Sequence, residues 1–308
     1  MRSHSVLIFI AGASLSGFSA PYDVSRPLPE PTLFAEGVVS AGEFDTHPAF
    51  SPDGTEFYFV RSKPDFSEWK IFFSHFANGK WSTPVMAPFS GHYRDADPFI
   101  TPDGRKFYFI SDRTTAGPAK NDMDIWVMDR VGDGWGPPRS VHGPINSDAD
   151  EWYPHTAQNG TLYFGSSRPG GEGGTDLYRA RTTPDGFEDP QNLGPIVNSR
   201  EDEFEPWIAP DESYLIFMAA HSDGMGSSDL YISFADKGGW TPPKNLGPKI
   251  NGRGQEISAY VTPNGRYFFF ASMRKEGDWP AGQRPNRAKN GLGDIYQMDL
   301  DALLAPSR

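Results

Sequence analysis

Carboxylates dominate the reactive chemistry of this sequence. An acidic residue recurs as Asp45, Asp95, Glu151, Glu203 and Glu256. Twice it sits in an acidic run, Asp148-Ala149-Asp150-Glu151 and Glu201-Asp202-Glu203-Phe204-Glu205. Two carboxylates roughly 5–10 Å apart are what glycoside hydrolysis needs: one protonates the leaving oxygen, and the other attacks or activates water. A basic residue recurs in parallel, four positions after a repeated Phe, as Lys63, Arg113, Arg168, His221 and Arg274. If the two ladders meet, each carboxylate gains a cation and the charges read as structural ion pairs. Clustered carboxylates could alternatively hold a hard cation such as Ca²⁺, against which a cationic neighbour for each one works. No other cofactor is expected.

Departures from this regularity point more directly at a site. Trp152, Tyr153, Phe204 and Trp207 stand beside the acidic ladder, where other repeats have Thr46, Ala96 or Ile257. Aromatic faces at a channel mouth suit peptide or sugar stacking, and packing between repeats is the competing role. His47 and His155 occupy related positions and could face a channel, but neither lies in a His-x-x-x-His or Gly-x-Ser-x-Gly setting. The stretch from Lys275 to Gly293 is long and basic, with Trp279, Arg284, Arg287 and Lys289, and such loops on a scaffold rim often carry function. The Gly-rich stretches Gly170–Gly174 and Gly224–Ser228 resemble phosphate cradles only superficially. They lie between strands and not before a helix, so turns are the expectation.

The elements that must position these residues follow from composition and repeat. The 308 residues include 33 Gly, 29 Pro and 14% aromatics, which describes short strands separated by many turns. A formal charge of −12 argues against nucleic acid and anionic membrane surfaces, both of which need clustered Lys and Arg. With no cysteine, disulfides, thiol catalysis and Cys-ligated zinc are excluded. Residues 1–20 read as an export signal: Arg2, an apolar run from Val6 to Phe18, then Gly17, Ser19 and Ala20. Residues 21–308 are expected to form one domain that does not insert into a membrane. A periplasmic or secreted monomer is the expectation.

Five segments share one pattern: DTHPAFSPDG from Asp45, DADPFITPDG from Asp95, EWYPHTAQNG from Glu151, EFEPWIAPDE from Glu203 and EISAYVTPNG from Glu256. Their starts are 50, 56, 52 and 53 residues apart, the length of a four-stranded antiparallel propeller blade. The fold class is therefore all-β, a five-bladed β-propeller, with six blades as the alternative. The fifth unit reaches Asp294-Ile295-Tyr296 without an outer strand after it. Val39-Ser40 precede Asp45 by the spacing that places Val197-Asn198 before Glu203. An N-terminal strand within Pro31–Ser40 should therefore complete the last blade and remove an open sheet edge.

The SPDG-FYF run, the SDR before a glycine-rich loop and DIW or DLY, and the W-x-x-P-x-N-L-G-P-x-I-N run resemble the TolB-type, WD40-like β-propeller repeats of bacterial periplasmic proteins. That family is also found beside OmpA-like domains. The resemblance extends from about Pro31 to Leu300 and implies a cell-envelope interaction module. The expected function is thus a non-catalytic module binding an envelope protein or peptide at the channel mouth. Its site would comprise Asp45, Asp95, Glu151, Trp152, Glu203, Phe204, Trp207, Glu256, Arg113, Arg168, His221 and Arg274, with no catalytic residue and no metal. Two alternatives remain. One is a glycosidase-like enzyme acting on a glycan through Glu151, Glu203 or Glu205 with Trp152 and Trp207; the other is a Ca²⁺-binding propeller. An enzyme requires two carboxylates without arginine partners in an asymmetric pocket, and a binding module requires salt-bridged carboxylates on a flat rim.

Overall fold

A computed structural model describes residues 21–305, apart from 23, 25, 115–120, 142 and 277–285. The expected export signal, and Trp279 and Arg284 of the long loop, lie outside the described residues. Five antiparallel sheets follow one another along the chain, one per repeat. The innermost strands are Phe44–Phe50, Asp95–Ile100, Glu151–Thr156, Glu203–Ile208 and Glu256–Val261. Each pairs with a second strand after the S/T-P-D/N-G turn or its variant: Glu56–Ser62, Lys106–Ser111, Leu162–Ser166, Tyr214–Ala219 and Tyr267–Ser272. The turn chemistry is visible at Ser51, whose hydroxyl donates to Asp53 and accepts the N–H of Glu56, while Gly54 takes φ +74°.

The second strands are continuous apolar runs because blades cover both of their faces. Phe57, Phe59, Phe107, Phe109, Phe164, Phe217, Phe268 and Phe270 are fully buried. Third strands follow at Lys70–Ala77, Asp124–Val131, Asp176–Ala180, Asp229–Asp236 and Asp294–Asp299. The outer strand is fragmentary, as in Gly239–Trp240 and Lys244–Asn245, which both pair with Asp229–Asp236.

A repeated side chain fastens each blade to the next. Asn198 receives the N–H of Leu177 at 2.9 Å and returns its own amide to the Leu177 carbonyl at 3.0 Å. Asn146 does the same to Ile125, and Asn251 to Leu230. Ser40 takes this place in the last blade, accepting from the N–H of Ile295 at 3.1 Å. The N-terminal segment therefore closes the ring in the register its sequence predicts. Thr32–Leu33 pairs antiparallel with Asp294–Asp299, Thr32 opposite Gln297, and Phe34 donates to the Ile295 carbonyl at 2.8 Å. One short helix, Leu300–Leu304, caps the last blade with Leu300, Leu303 and Leu304 buried. Among the described residues no helix is long and apolar enough to cross a membrane.

Candidate functional site at the propeller axis

The two charged ladders do meet. Asp45, Asp95, Glu151, Glu203 and Glu256 are all fully buried at the start of the innermost strands. Arg113 reaches Asp95 at 2.5 Å, Arg168 reaches Glu151 at 3.1 Å, His221 reaches Glu203 at 2.9 Å and Arg274 reaches Glu256 at 3.8 Å. Serines complete the shells: Ser111, Ser166 and Ser272 each donate to the carboxylate of their own blade. The first blade departs from the expected pattern. Arg61 binds Asp45 through Nε at 2.7 Å and Nη2 at 2.9 Å, whereas Lys63 is carried outward by its loop onto Glu68.

A second ring lies two residues further along each innermost strand, and it is not regular. Every innermost strand has a register shift at the same place, between Thr46 and Ala49, Ala96 and Phe99, Trp152 and His155, Phe204 and Trp207, and Ile257 and Tyr260. The bulged residues are His47, Asp97, Tyr153, Glu205 and Ser258, with φ of +56°, +53°, +48°, +54° and +60°. Pro follows in four of the five, disfavouring the right-handed region for the residue before it. A bulge re-aims the side chain it carries. Here all five converge on the axis.

His47 is the hub. Its Nε2 lies 3.0 Å from Asp97 Oδ1 and 3.1 Å from Glu205 Oε1, and Nδ1 lies 2.7 Å from the Thr46 hydroxyl. The two carboxylates therefore stand no more than about 6 Å apart, the sum of the two contacts. Asp97 also accepts the N–H of Tyr153 at 2.8 Å, and Glu205 that of Ser258 at 2.5 Å. The Tyr153 hydroxyl donates across the ring to the Ala259 carbonyl at 2.7 Å. Neither carboxylate has an arginine or lysine partner among the described residues.

Burial sets the electrostatics of this ring. It pushes Asp97 up to about 6, with the His47 charge opposing and Glu205 reinforcing the rise. For His47 burial acts downward, but the carboxylates of Asp97 and Glu205 outweigh it and hold the imidazole above its usual range. Burial and the same two carboxylates raise the Tyr153 phenol.

Below the ring the channel is closed. The next inward layer, Ala49, Phe99, His155, Trp207 and Tyr260, is buried, with His155 3.9 Å from Phe99 and 5.4 Å from Trp207 between ring centres. Burial without a charged neighbour pushes His155 down to about 3, so it stays neutral. Above the ring is a throat of about 50 Å³ lined by His47, Asp97 and Glu205 and walled by Phe66, Trp69, Trp152 and Phe204. Trp152 meets Trp69 edge to face at 6.0 Å. Phe66 also borders a basin of about 1040 Å³ between the first and last blades.

The expected site residues therefore divide. Trp152 and Phe204 line the throat, Trp207 belongs to the floor, and the paired ladders brace the blades beneath the mouth loops. Glu205 and His47 sit at the centre, as their positions allowed, whereas Glu151 and Glu203 are consumed by Arg168 and His221. Sequence reasoning missed Asp97 and Ser258. Their only signal was a column between the acid and the proline in which nothing repeats. The Gly-rich stretches serve as turns: Glu172 and Gly173 donate their N–H groups to Asp176, and Met225 to Asp229. No group of three or more His, Asp or Glu among the described residues is arranged to hold a metal ion.

No protein-family model and no curated protein sequence matches the chain. Among solved structures it is similar to a thermostable family-43 glycoside hydrolase at 13% identity and a TM-score of 0.52, over 86% of this chain and 92% of that one. It is also similar to an alpha-L-arabinofuranosidase from Lactobacillus brevis (15% identity, TM-score 0.49, 85% and 92% covered). A third is TolB from Acinetobacter baumannii (13% identity, TM-score 0.49, 88% of this chain). The chain spans 64% of that TolB's length. At these identities the likeness establishes the propeller fold, and TolB is a structural neighbour without a family match.

The expectation of a non-catalytic binding module is corrected. It took all repeated carboxylates to be salt-bridged on a flat rim. The structure places two more, unpaired with arginine, in an asymmetric axial pocket. A family-43 glycoside hydrolase shares this fold, so the propeller by itself does not assign a non-catalytic role.

Proposed function

We propose that the protein is a carbohydrate-active enzyme that hydrolyses a glycosidic bond at the mouth of its axial throat. The observation that carries this reading is the pair Asp97 and Glu205, close together, buried, and free of arginine partners. A carboxyl group raised to about 6 can hold a proton for a leaving oxygen in mildly acidic solution. Asp97 is therefore the proton donor. Glu205, oriented by the Ser258 N–H, is the nucleophile or the base that activates water. His47 is a positioning residue, holding both carboxylates until the substrate enters. Trp69 and Trp152 offer aromatic faces to the sugar. The throat as it stands has room for only a few water molecules, so the sugar ring requires Phe66 to swing outward on its loop.

The test is hydrolysis of a panel of aryl glycosides, arabinofuranosides and xylosides included, by wild type, Asp97→Asn and Glu205→Gln. Loss of either group should lower the rate by about 10²–10⁴-fold while the thermal transition moves little. The wild-type rate should fall as pH rises through about 6, where Asp97 loses its proton. Absence of hydrolysis across the panel, or variants as active as wild type, would sink the proposal.

A further inference from the structure

We infer that the basin beside the throat binds a carboxylate of the substrate, which makes the substrate a uronate-bearing oligosaccharide. This deepens the reading above and rests on it for the sugar, but not for the charge. The basin adjoins the throat at Phe66, which borders both and stands between them. Its other walls come from the connection between the last two blades, Asn251–Gln255, and from the fifth blade's loop at Met273–Lys275 and Asn290–Gly291. At about 1040 Å³ it is large enough for several sugar units.

The charge of this basin is reversed relative to the molecule. The chain carries −12 overall, yet Arg253, Arg274 and Lys275 line the basin against one carboxylate, Asp65. Asp65 is turned onto its own loop, accepting from the N–H and hydroxyl of Ser67. Arg253 is exposed, and no described residue pairs with it. Arg274 belongs to the basic ladder, but its contact with Glu256 is 3.8 Å, against 2.5–3.1 Å in the other blades. Its side chain is 29% exposed, against 8% for Arg113 and 15% for Arg168. The carboxylate contact is longest where the ladder faces the basin, and the Arg274 guanidinium donates instead to the Lys249 and Ile250 carbonyls.

Equivalent positions elsewhere do not repeat the arrangement. The place of Arg253 is taken by Gly42, His92, Asp148 and Arg200, and that of Lys275 by Pro64, Thr114, Pro169 and Ser222. Three cations converge in one blade only. A guanidinium presents a planar fork that matches a carboxylate, and Gln255 on the same wall can serve sugar hydroxyls.

The experiment measures binding by calorimetry on Asp97→Asn, which removes turnover, with trigalacturonate and its fully methyl-esterified form as probes. Trigalacturonate should bind roughly tenfold or more tighter than the ester, because the charge-assisted bonds require the free carboxylate. That preference should shrink with added salt and vanish in Arg253→Ala, while Arg253→Lys keeps part of it. Equal affinity for the two probes, or an undiminished preference in Arg253→Ala, overturns the inference. Preferential trigalacturonate binding by a protein that hydrolyses no glycoside supports the basin and removes the catalytic reading. Hydrolysis of neutral glycosides with no acid preference does the reverse.

Discussion

Two rings of side chains surround the propeller mouth, two residues apart in the chain, and they follow opposite rules. The outer ladder, Asp45 to Glu256, keeps one charge sign in all five blades, and each member is buried against a cation. The axial ring, His47, Asp97, Tyr153, Glu205 and Ser258, has a different residue in every blade and a left-handed backbone at each. Strained positions of this kind cost of order 1 kcal/mol or more apiece and persist where their surroundings over-determine them. The ladder supplies those surroundings by bracing each strand just before its bulge. Repetition here marks the joint between blades, and variation marks the place where chemistry is possible.

That contrast can be broken most forcefully at a ladder pair. Arg168→Ala leaves the buried Glu151 carboxylate without its cation, an arrangement that costs about 3–5 kcal/mol. The loss should fall toward the lower end because Ser147 and Ser166 still donate to Glu151. Urea denaturation should show this drop, with Asp97→Asn close to wild type. If the axial variant proves the less stable of the two, the division of labour is wrong.

The pH dependence of stability should be smaller and of definite sign. Burial raises Asp45 to about 7 and Asp97 and Asp294 to about 6, and His47 is also raised. A group whose folded value exceeds its unfolded value favours the folded state when protonated. For the carboxyls this stabilisation is complete below the ordinary carboxylate range and is lost as pH climbs through 6–7. The melting temperature should therefore decline from pH 5 to pH 8, and Asp294→Asn should flatten the decline. A melting temperature that rises over this interval would contradict the assignment.

The smallest effect is expected at Phe66, which separates throat from basin and is 37% exposed. Phe66→Ala should leave the melting temperature nearly unchanged and lower KM for bulky glycosides several-fold by opening the throat. An unchanged KM would show that Phe66 does not limit entry.

The architecture was legible because it is periodic. The acid, proline, turn and aromatic-strand columns recur five times, and the spacing of Val39-Ser40 announced the closing strand. Even the exchange of Asn198 for Ser40 could be placed by counting five residues back from the acid. The axial site was only half legible. Glu205 stood out within an acidic run and His47 as a histidine that could face a channel, but Asp97 and Ser258 lay in a column that looked like noise. An alternating strand would place those residues on the same side as the ladder, two positions on. Instead a register shift turns each of them to the axis, and a bulge of non-glycine residues has no reliable sequence signature.

By itself, then, the sequence determined the number of blades, their order and the closure of the ring, because each depends on local periodicity and chain length. Tertiary structure alone decided which carboxylates escape an arginine and meet across one histidine. Asp95 and Asp97 are identical in type and two residues apart, yet one is neutralised by Arg113 at 2.5 Å and the other faces Glu205 from the opposite side of His47. Only closing the ring brings blades one, two and four within hydrogen-bonding distance, and that encounter creates the site.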